Sequence, residues 1–404
     1  MAKVQVPAYF DAREALRNTL SQPERDSLGK LVKSTRALLS EAQGTASRLE
    51  FQGDDTSYLR AALGELAWRV GSTLDVEAIR ASRARCEMAL TDPTPPSVLI
   101  QDRDGSYGLG TLAWFLKLDA TTDQLVDGPW PGKRPPRFLD CINTPDSMIK
   151  YLDKLLVCDL AGGVDYRKEL NLASAVIARL ALWGGQAGYL QAPAFEKAYR
   201  RFLGRWQDAD TGFFCATYKA GGQTVKTVDL SLTFHMARYA SRYHPGDIGH
   251  WPKLIETLFV IKDPKRVYPQ GWFDDGGAMT NHNNYDVVEL WRLGWPHMTK
   301  AQKANARHEM RGMLDWCLNH SIQEDGVVIN SDLGDTVPEN YYFAAAFLDT
   351  LGYLDGEDVF GVGGNFSNGP PLRARMIRQL SGFCQDLPDT LDALARLGVG
   401  PKRF

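Results

Sequence analysis

Residues 168–190 read KELNLASAVIARLALWGGQAGYL. Leu170, Ala173, Val176, Ile177, Leu180 and Trp183 recur at helical spacing and form one broad apolar face. The same period returns in 227–243, with Leu230, Phe234, Ala237 and Tyr239, and again in 301–319 and 340–354. Alternating strand patterns are rare, and Gly326-Val327-Val328-Ile329 is the best of them. No GxGxxG follows a strand, which leaves a dinucleotide-binding or P-loop domain without support. The chain therefore reads as all-α.

Between the helices one loop type recurs. It reads Gln-Asp-Arg-Asp-Gly-Ser-Tyr at 101–107, Gln-Asp-Ala-Asp-Thr-Gly-Phe-Phe at 207–214 and Gln-Glu-Asp-Gly-Val-Val at 323–328. A looser copy is Pro-Gln-Gly-Trp-Phe-Asp-Asp-Gly at 269–276. Gln207, Gln270 and Gln323 lie 63 and 53 residues apart, and Gln101 precedes Gln207 by 106. A period in the fifties accommodates two helices and two connections, the size of a structural repeat. Over 404 residues it predicts six or seven helical hairpins, enough to close an α/α toroid as one domain spanning 1–404. Asp-Gly turns also punctuate ordinary helices, the plainer reading of the same loops. The proline-dense segment 127–146 (DGPWPGKRPPRFLDCINTPD), with Trp130, Lys133, Arg134 and Arg137, reads as a long functional loop over one face of the ring.

Hydrophobic residues make up 44% of the chain, ample for a large core. The formal net charge of -3 provides no basic field to attract nucleic acid or an anionic membrane. No apolar run approaches the roughly 20 residues of a membrane span. The N-terminus, Met1-Ala2-Lys3-Val4-Gln5-Val6-Pro7, has no apolar core of a signal peptide. That fits a cytoplasmic chain, and equally a secreted or periplasmic one whose signal has been removed. The six cysteines, Cys86, Cys141, Cys158, Cys215, Cys317 and Cys384, are far apart without a CxxC pair, and read as buried free thiols.

All seven histidines lie between His235 and His320. The densest polar run, Thr280-Asn281-His282-Asn283-Asn284-Tyr285-Asp286, precedes an apolar helix expected to begin at Val287. Capping that helix needs one such residue, not six with a His and a Tyr. Asn, His and Tyr together suit β-elimination on a uronic acid. An amide or cation neutralises the carboxylate, a His or Tyr removes the neighbouring proton, and a Tyr hydroxyl protonates the leaving oxygen. Tyrosine acts as a base only where cations lower its pKa from about 10. Arg292, seven residues after Tyr285 on the same helix face, is a candidate for that. His235 and Asn171, each on an apolar helix, are further catalytic candidates, with a satisfied core role as the alternative. Tyr341 and Tyr342 at a helix start, Arg134 in the proline-rich segment, and Trp206 and Trp272 beside loops are candidate substrate contacts.

This combination of helical hairpins with the Asn281–Tyr285 run resembles the toroidal polysaccharide lyases that act on alginate or glucuronan. The resemblance implies an acidic oligo- or polysaccharide substrate and no metal or other cofactor. Asn281, Asn283 or Asn284 would match the carboxylate-neutralising amide, His282 the base, and Tyr285 the acid or dual acid/base. Three alternatives remain. A toroidal glycoside hydrolase would use two carboxylates among Asp208, Asp210, Asp274, Asp275, Asp325 and Asp335. An isoprenoid cyclase would fit Gln207 and Gly212-Phe213, but the Asp-x-Asp-Asp signature is absent. A non-catalytic helical scaffold would present a repeated binding surface.

Overall fold

A computed structural model describes residues 20–51, 56–72, 76–92, 109–110, 137–159, 164, 166–182, 193–220, 223–226, 228–243, 248–262, 272, 279–329, 337–381 and 388–399. Most of these are helical. In chain order the helices are α1 (Gln22–Phe51), α2 (Ser57–Ser72), α3 (Val76–Thr91), α4 (Pro145–Leu155), α5 (Arg167–Leu182), α6 (Pro193–Trp206), α7 (Leu230–Tyr243), α8 (Trp251–Val260), α9 (Asn281–Gly294), α10 (Lys300–Trp316), α11 (Val337–Thr350), α12 (Gly369–Leu380) and α13 (Pro388–Arg396). A three-stranded sheet accompanies them. Strand β1 (Val157–Asp159) runs parallel to β2 (Thr217–Ala220), which forms an antiparallel hairpin with β3 (Gln223–Lys226).

Local chemistry sets several helix starts. Thr144 opens α4 with a capping box: the Ser147 amide donates to its hydroxyl at 3.1 Å, and its own amide donates to the Ser147 hydroxyl at 3.0 Å. Thr299 and Gln302 do the same for α10. The periodic apolar residues are buried as their spacing requires. In α5, Leu170, Ala173, Val176, Ile177 and Leu180 are all in the core, and in α7 so are Leu230, Phe234, Ala237 and Tyr239. Each fully buried Leu or Ile contributes roughly 1.5–3 kcal/mol relative to exposure. Trp183 lies outside the described residues.

The chain divides into two compact units. The first comprises Met1–Ser34, Arg69–Ser82 and Pro95–Gly271, and the second Thr35–Trp68, Arg83–Thr94 and Trp272–Phe404. Within each unit, helices pack on their next-but-one neighbours. In the first unit α4 packs on α6 and α5 on α7; in the second α9 packs on α11 and α11 on α13.

Two copies of the recurring loop are described, and they fold alike. In the first unit Gln207 bridges Phe214, and the Gly212 amide donates to the Asp208 carbonyl at 2.7 Å. The Gln207 side chain donates to the Gly212 carbonyl and accepts from the Gly249 amide. In the second unit Ile322 bridges Val328, and the Gly326 amide donates to the Gln323 carbonyl at 2.9 Å. Both turn glycines have positive φ, +74° and +93°. Both also press on the backbone of the second helix after the turn. A Cβ at Gly212 would lie 2.3 Å from the Leu254 nitrogen in α8, and one at Gly326 would lie 2.8 Å from the Met376 nitrogen in α12. The strand pattern at 326–329 amounts to this single bridge. The copy at 101–107, and the one at 269–276 apart from Trp272, lie outside the described residues.

Two expectations are corrected. The second half of the 127–146 segment is not a long loop: it forms a 3-10 turn (Arg137–Ile142) with Leu139 and Ile142 buried, and leads into the Thr144 cap. Residues 127–136 lie outside the described residues. Of the cysteines, Cys86, Cys158, Cys215 and Cys317 are buried, but Cys141, on that 3-10 turn, is exposed. Cys384 is outside the described residues. Among the described residues no helix is long and apolar enough to cross a membrane.

Candidate active site

The polar run 280–286 does not precede a helix; it is the start of one. Thr280 is the N-cap of α9 and accepts the Asn283 amide at 3.1 Å, so the helix begins at Asn281, six residues before the expected Val287. The asparagines are therefore free of capping duty and occupy the first turns of a helix that is largely buried. Asn281, Asn284, Tyr285 and Asp286 are buried, whereas His282 and Asn283 are half-buried.

A single guanidinium organises the second unit's polar cluster. Arg396, at the end of α13, donates through Nη2 to the Tyr285 hydroxyl at 3.0 Å and to the Tyr342 hydroxyl at 3.1 Å. Its guanidinium carbon also lies 5.6 Å and 5.1 Å from the two ring centroids. The rings meet edge to face at 6.4 Å. Tyr285, from α9, is 1% exposed, while Tyr342, from α11, is half-buried. Beside them His282 stacks flat on Phe343, with centroids 3.9 Å apart and planes 12° from parallel. His282 Nε2 is 4.0 Å from a carboxylate oxygen of the buried Asp286. Asn281 donates through Nδ2 to the Ser321 hydroxyl at 2.6 Å.

The first unit brings together two other candidates. Asn171 on α5 and His235 on α7 share a hydrogen bond of 2.9 Å through Oδ1 and Nδ1, and Asn171 Nδ2 donates to the Ser231 hydroxyl at 2.9 Å. His235 also stacks with Tyr239. Both Asn171 and His235 are half-buried.

No protein-family model, curated protein or solved structure matches the chain.

Several expected contacts take other places. Arg292 does not serve Tyr285: it makes a two-pronged ion pair with Glu289, both bonds at 2.7 Å, and half its side chain is exposed. Trp206 is not a loop-edge platform but a core residue, donating to the Cys215 carbonyl at 2.9 Å and packed edge-on against Phe214. Trp272 is likewise buried, edge-on to Trp291 at 5.0 Å. Tyr341 is buried, which pushes its hydroxyl up to about 12 despite the opposing Val328 amide, so it stays protonated. Arg134 lies outside the described residues.

The loop carboxylates hold their own turns. Asp208 accepts the amides of Asp210 and Thr211 on one oxygen and the Lys226 ammonium at 2.6 Å on the other. Burial pushes the Asp208 carboxyl up, but the bonds from Lys226 and Thr211 outweigh it and hold the group below the usual carboxylate range. Asp325 accepts the Val327 amide and the Gln379 side chain. Asp274, Asp275 and Asp335 lie outside the described residues.

Arg396 is the residue that sequence reasoning missed. It stands 111 residues after Tyr285 and 54 after Tyr342. In the sequence it is one arginine near the end of a short amphipathic stretch, with nothing to separate it from a surface charge.

Proposed function

We propose that this chain is a polysaccharide lyase of the α/α-toroid type, cleaving a uronic-acid-containing polysaccharide by β-elimination at the Arg396–Tyr342 cluster. One observation carries the reading: a single guanidinium donates to two tyrosine hydroxyls at 3.0 and 3.1 Å beside a half-buried histidine. A cation on the phenol oxygen is what a tyrosine needs to ionise near neutral pH, and the same charge neutralises a substrate carboxylate.

The steps follow from these positions. Arg396 pairs with the uronate carboxylate and stabilises the Tyr342 phenolate. Tyr342, the half-buried member of the pair, takes the proton from the carbon bearing the carboxylate. The electron pair left behind forms the ring double bond and expels the glycosidic oxygen at the neighbouring carbon. That oxygen takes a proton from His282 or from the Tyr342 hydroxyl. Tyr285, buried beneath, is the second anchor that fixes the guanidinium. In this reading the acid/base role expected of Tyr285 passes to Tyr342, and the neutralising role expected of Arg292 passes to Arg396.

The toroid is supported by the repeat. The two described turns fold alike, and alternate helices pack together in both units. The polar candidates also recur at one register. Asn171 and Tyr285 are the fifth residues of α5 and α9, and His235 and Tyr342 the sixth of α7 and α11. A hydrolase has less support, because Asp208 and Asp325 commit one oxygen to amides of their own turns and the other to Lys226 and Gln379.

The test is ultraviolet absorbance of the conjugated, unsaturated uronate over alginate, glucuronan, pectate and glycosaminoglycans, with wild type and Tyr342→Phe. A rise with one substrate, lost in Tyr342→Phe, is the expected result. New reducing ends without absorbance would replace the lyase reading with a hydrolase.

A further inference from the structure

We propose that the side-chain amides of Asn281 and Asn284 form a subsite that reads the ring hydroxyls of a sugar, rather than its carboxylate. The inference rests on the saccharide reading above and specifies what this part of the site recognises.

Both amides stand in the first turn of α9, three residues apart and so on one stripe of the helix. Thr280 already caps that helix, so neither amide is needed there. Asparagine inside a helix is otherwise unfavourable, since its side chain competes for backbone hydrogen bonds. Both residues are buried, Asn281 at 5% and Asn284 at 1% exposure. Asn281 Nδ2 is satisfied by Ser321. The other three atoms, Asn281 Oδ1 and both amide atoms of Asn284, make no hydrogen bond among the described residues. A buried, unsatisfied amide is costly, and a folded protein retains one where a ligand or an ordered water completes it.

The inventory of these atoms selects the ligand chemistry. One donor and two acceptors are unsatisfied. Exchanging O and N in Asn284 leaves that count unchanged. Exchanging them in Asn281, where the Ser321 hydroxyl can donate as well as accept, gives two donors and one acceptor. Either way both kinds are needed. A carboxylate or phosphate only accepts, and an ammonium only donates. Sugar hydroxyls do both. The amides are therefore suited to a neutral part of the saccharide, which leaves the carboxylate to Arg396. His282 and Tyr285 each directly follow one of the two asparagines, so the hydroxyl-reading stripe adjoins the Arg396 cluster.

An ordered water would satisfy the same atoms, and the experiment separates the two. Calorimetric titration of the full chain uses two probes, an oligoglucuronate and a neutral cello-oligosaccharide, against wild type, Asn284→Ala and Asn284→Ser, with the melting temperature of each variant. The expected result is about tenfold weaker binding in Asn284→Ala, with little change in melting temperature because no hydrogen bond among the described residues is lost. Wild-type affinity in Asn284→Ala, or a fall of several degrees with binding retained, would overturn the subsite in favour of a structural water. Should Asn284→Ala not fold, Asn284→Ser is judged by the same affinity criterion. Wild type that binds only the neutral probe, and loses it in Asn284→Ala, would overturn the uronate reading while the subsite stands. Wild type that binds neither probe would overturn both.

Discussion

Replacing Gly212 with alanine should destabilise the protein far more than the same change at Gly363, although both glycines have nearly equal positive φ, +74° and +80°. The left-handed backbone costs an L-residue about 1–2 kcal/mol. The lower entropy of the unfolded alanine chain offsets about 0.4–1 kcal/mol of that. At Gly363 nothing lies within 4 Å of an added Cβ, so the backbone cost stands alone and the net loss is about 1.6 kcal/mol or less. At Gly212 the Cβ would meet the Leu254 nitrogen at 2.3 Å and the His250 carbonyl oxygen at 2.8 Å. Both are backbone atoms in the first turn of α8, so no side-chain rotation relieves the clash. Overpacking of this kind adds about 1–3 kcal/mol, for a total of about 1–4.6 kcal/mol. At Gly326 the approach is 2.8 Å, to Arg375 and Met376, and the loss should fall between the two. At about 2–4 °C per kcal/mol, calorimetry of the three variants resolves the order. Equal shifts at Gly212 and Gly363 would refute the close approach of turn to helix, and with it the shared geometry of the two repeat turns.

If the chain is the lyase proposed above, Arg396→Met should lower turnover about 100- to 1,000-fold, by analogy with the loss of one electrostatic donor, while Arg292→Ala, which breaks the pair of a half-exposed arginine with Glu289, should leave the rate within about twofold. Initial rates on the active polysaccharide decide both, and an unchanged rate in Arg396→Met would remove the guanidinium from the chemistry. Because Asp208 is held below its ordinary pKa of about 3.9, its stabilising contribution should be complete above about pH 5 and disappear as the pH falls through the lowered value. Melting curves of wild type and Asp208→Asn should therefore converge on acidification; parallel curves would show that the carboxylate is not linked to folding. Cys141 should be the one described cysteine that alkylates rapidly in the native protein. Cys158 is buried, and burial raises the thiols of Cys215, Cys317 and Cys86, the last to about 11. Survival of the fast phase in Cys141→Ser would contradict this.

The helices were legible because burial writes itself into a period. Leu170, Ala173, Val176 and Ile177 announce the core face of α5 directly. The turns were legible as a recurring type, because Gly212 and Gly326 occupy positions that only glycine tolerates well. The start of α9 was not, since a polar run reads as a loop when its residues are weighed one by one. What decides it is Thr280, a single cap whose effect is to carry the asparagines into the helix. The small sheet was hidden for a similar reason: its strands are three or four residues long, too short for alternation to show.

Residue types chosen for their chemistry, Asn171 with His235 and Tyr285 with Tyr342, do come together in pairs, each pair within one unit. Proximity along one helix is not proximity in space. Arg292 follows Tyr285 on the same face, but Glu289, one turn before it and within reach of both guanidinium prongs, satisfies it first. Arg396 reaches the tyrosine hydroxyls from a different helix, α13, packed on α11. A phenol draws its partner from whichever helix packs against it. For Tyr342 on α11 those helices are chiefly α9 and α13, whose arginines are Arg292, held by Glu289, and Arg396, which reaches the phenol.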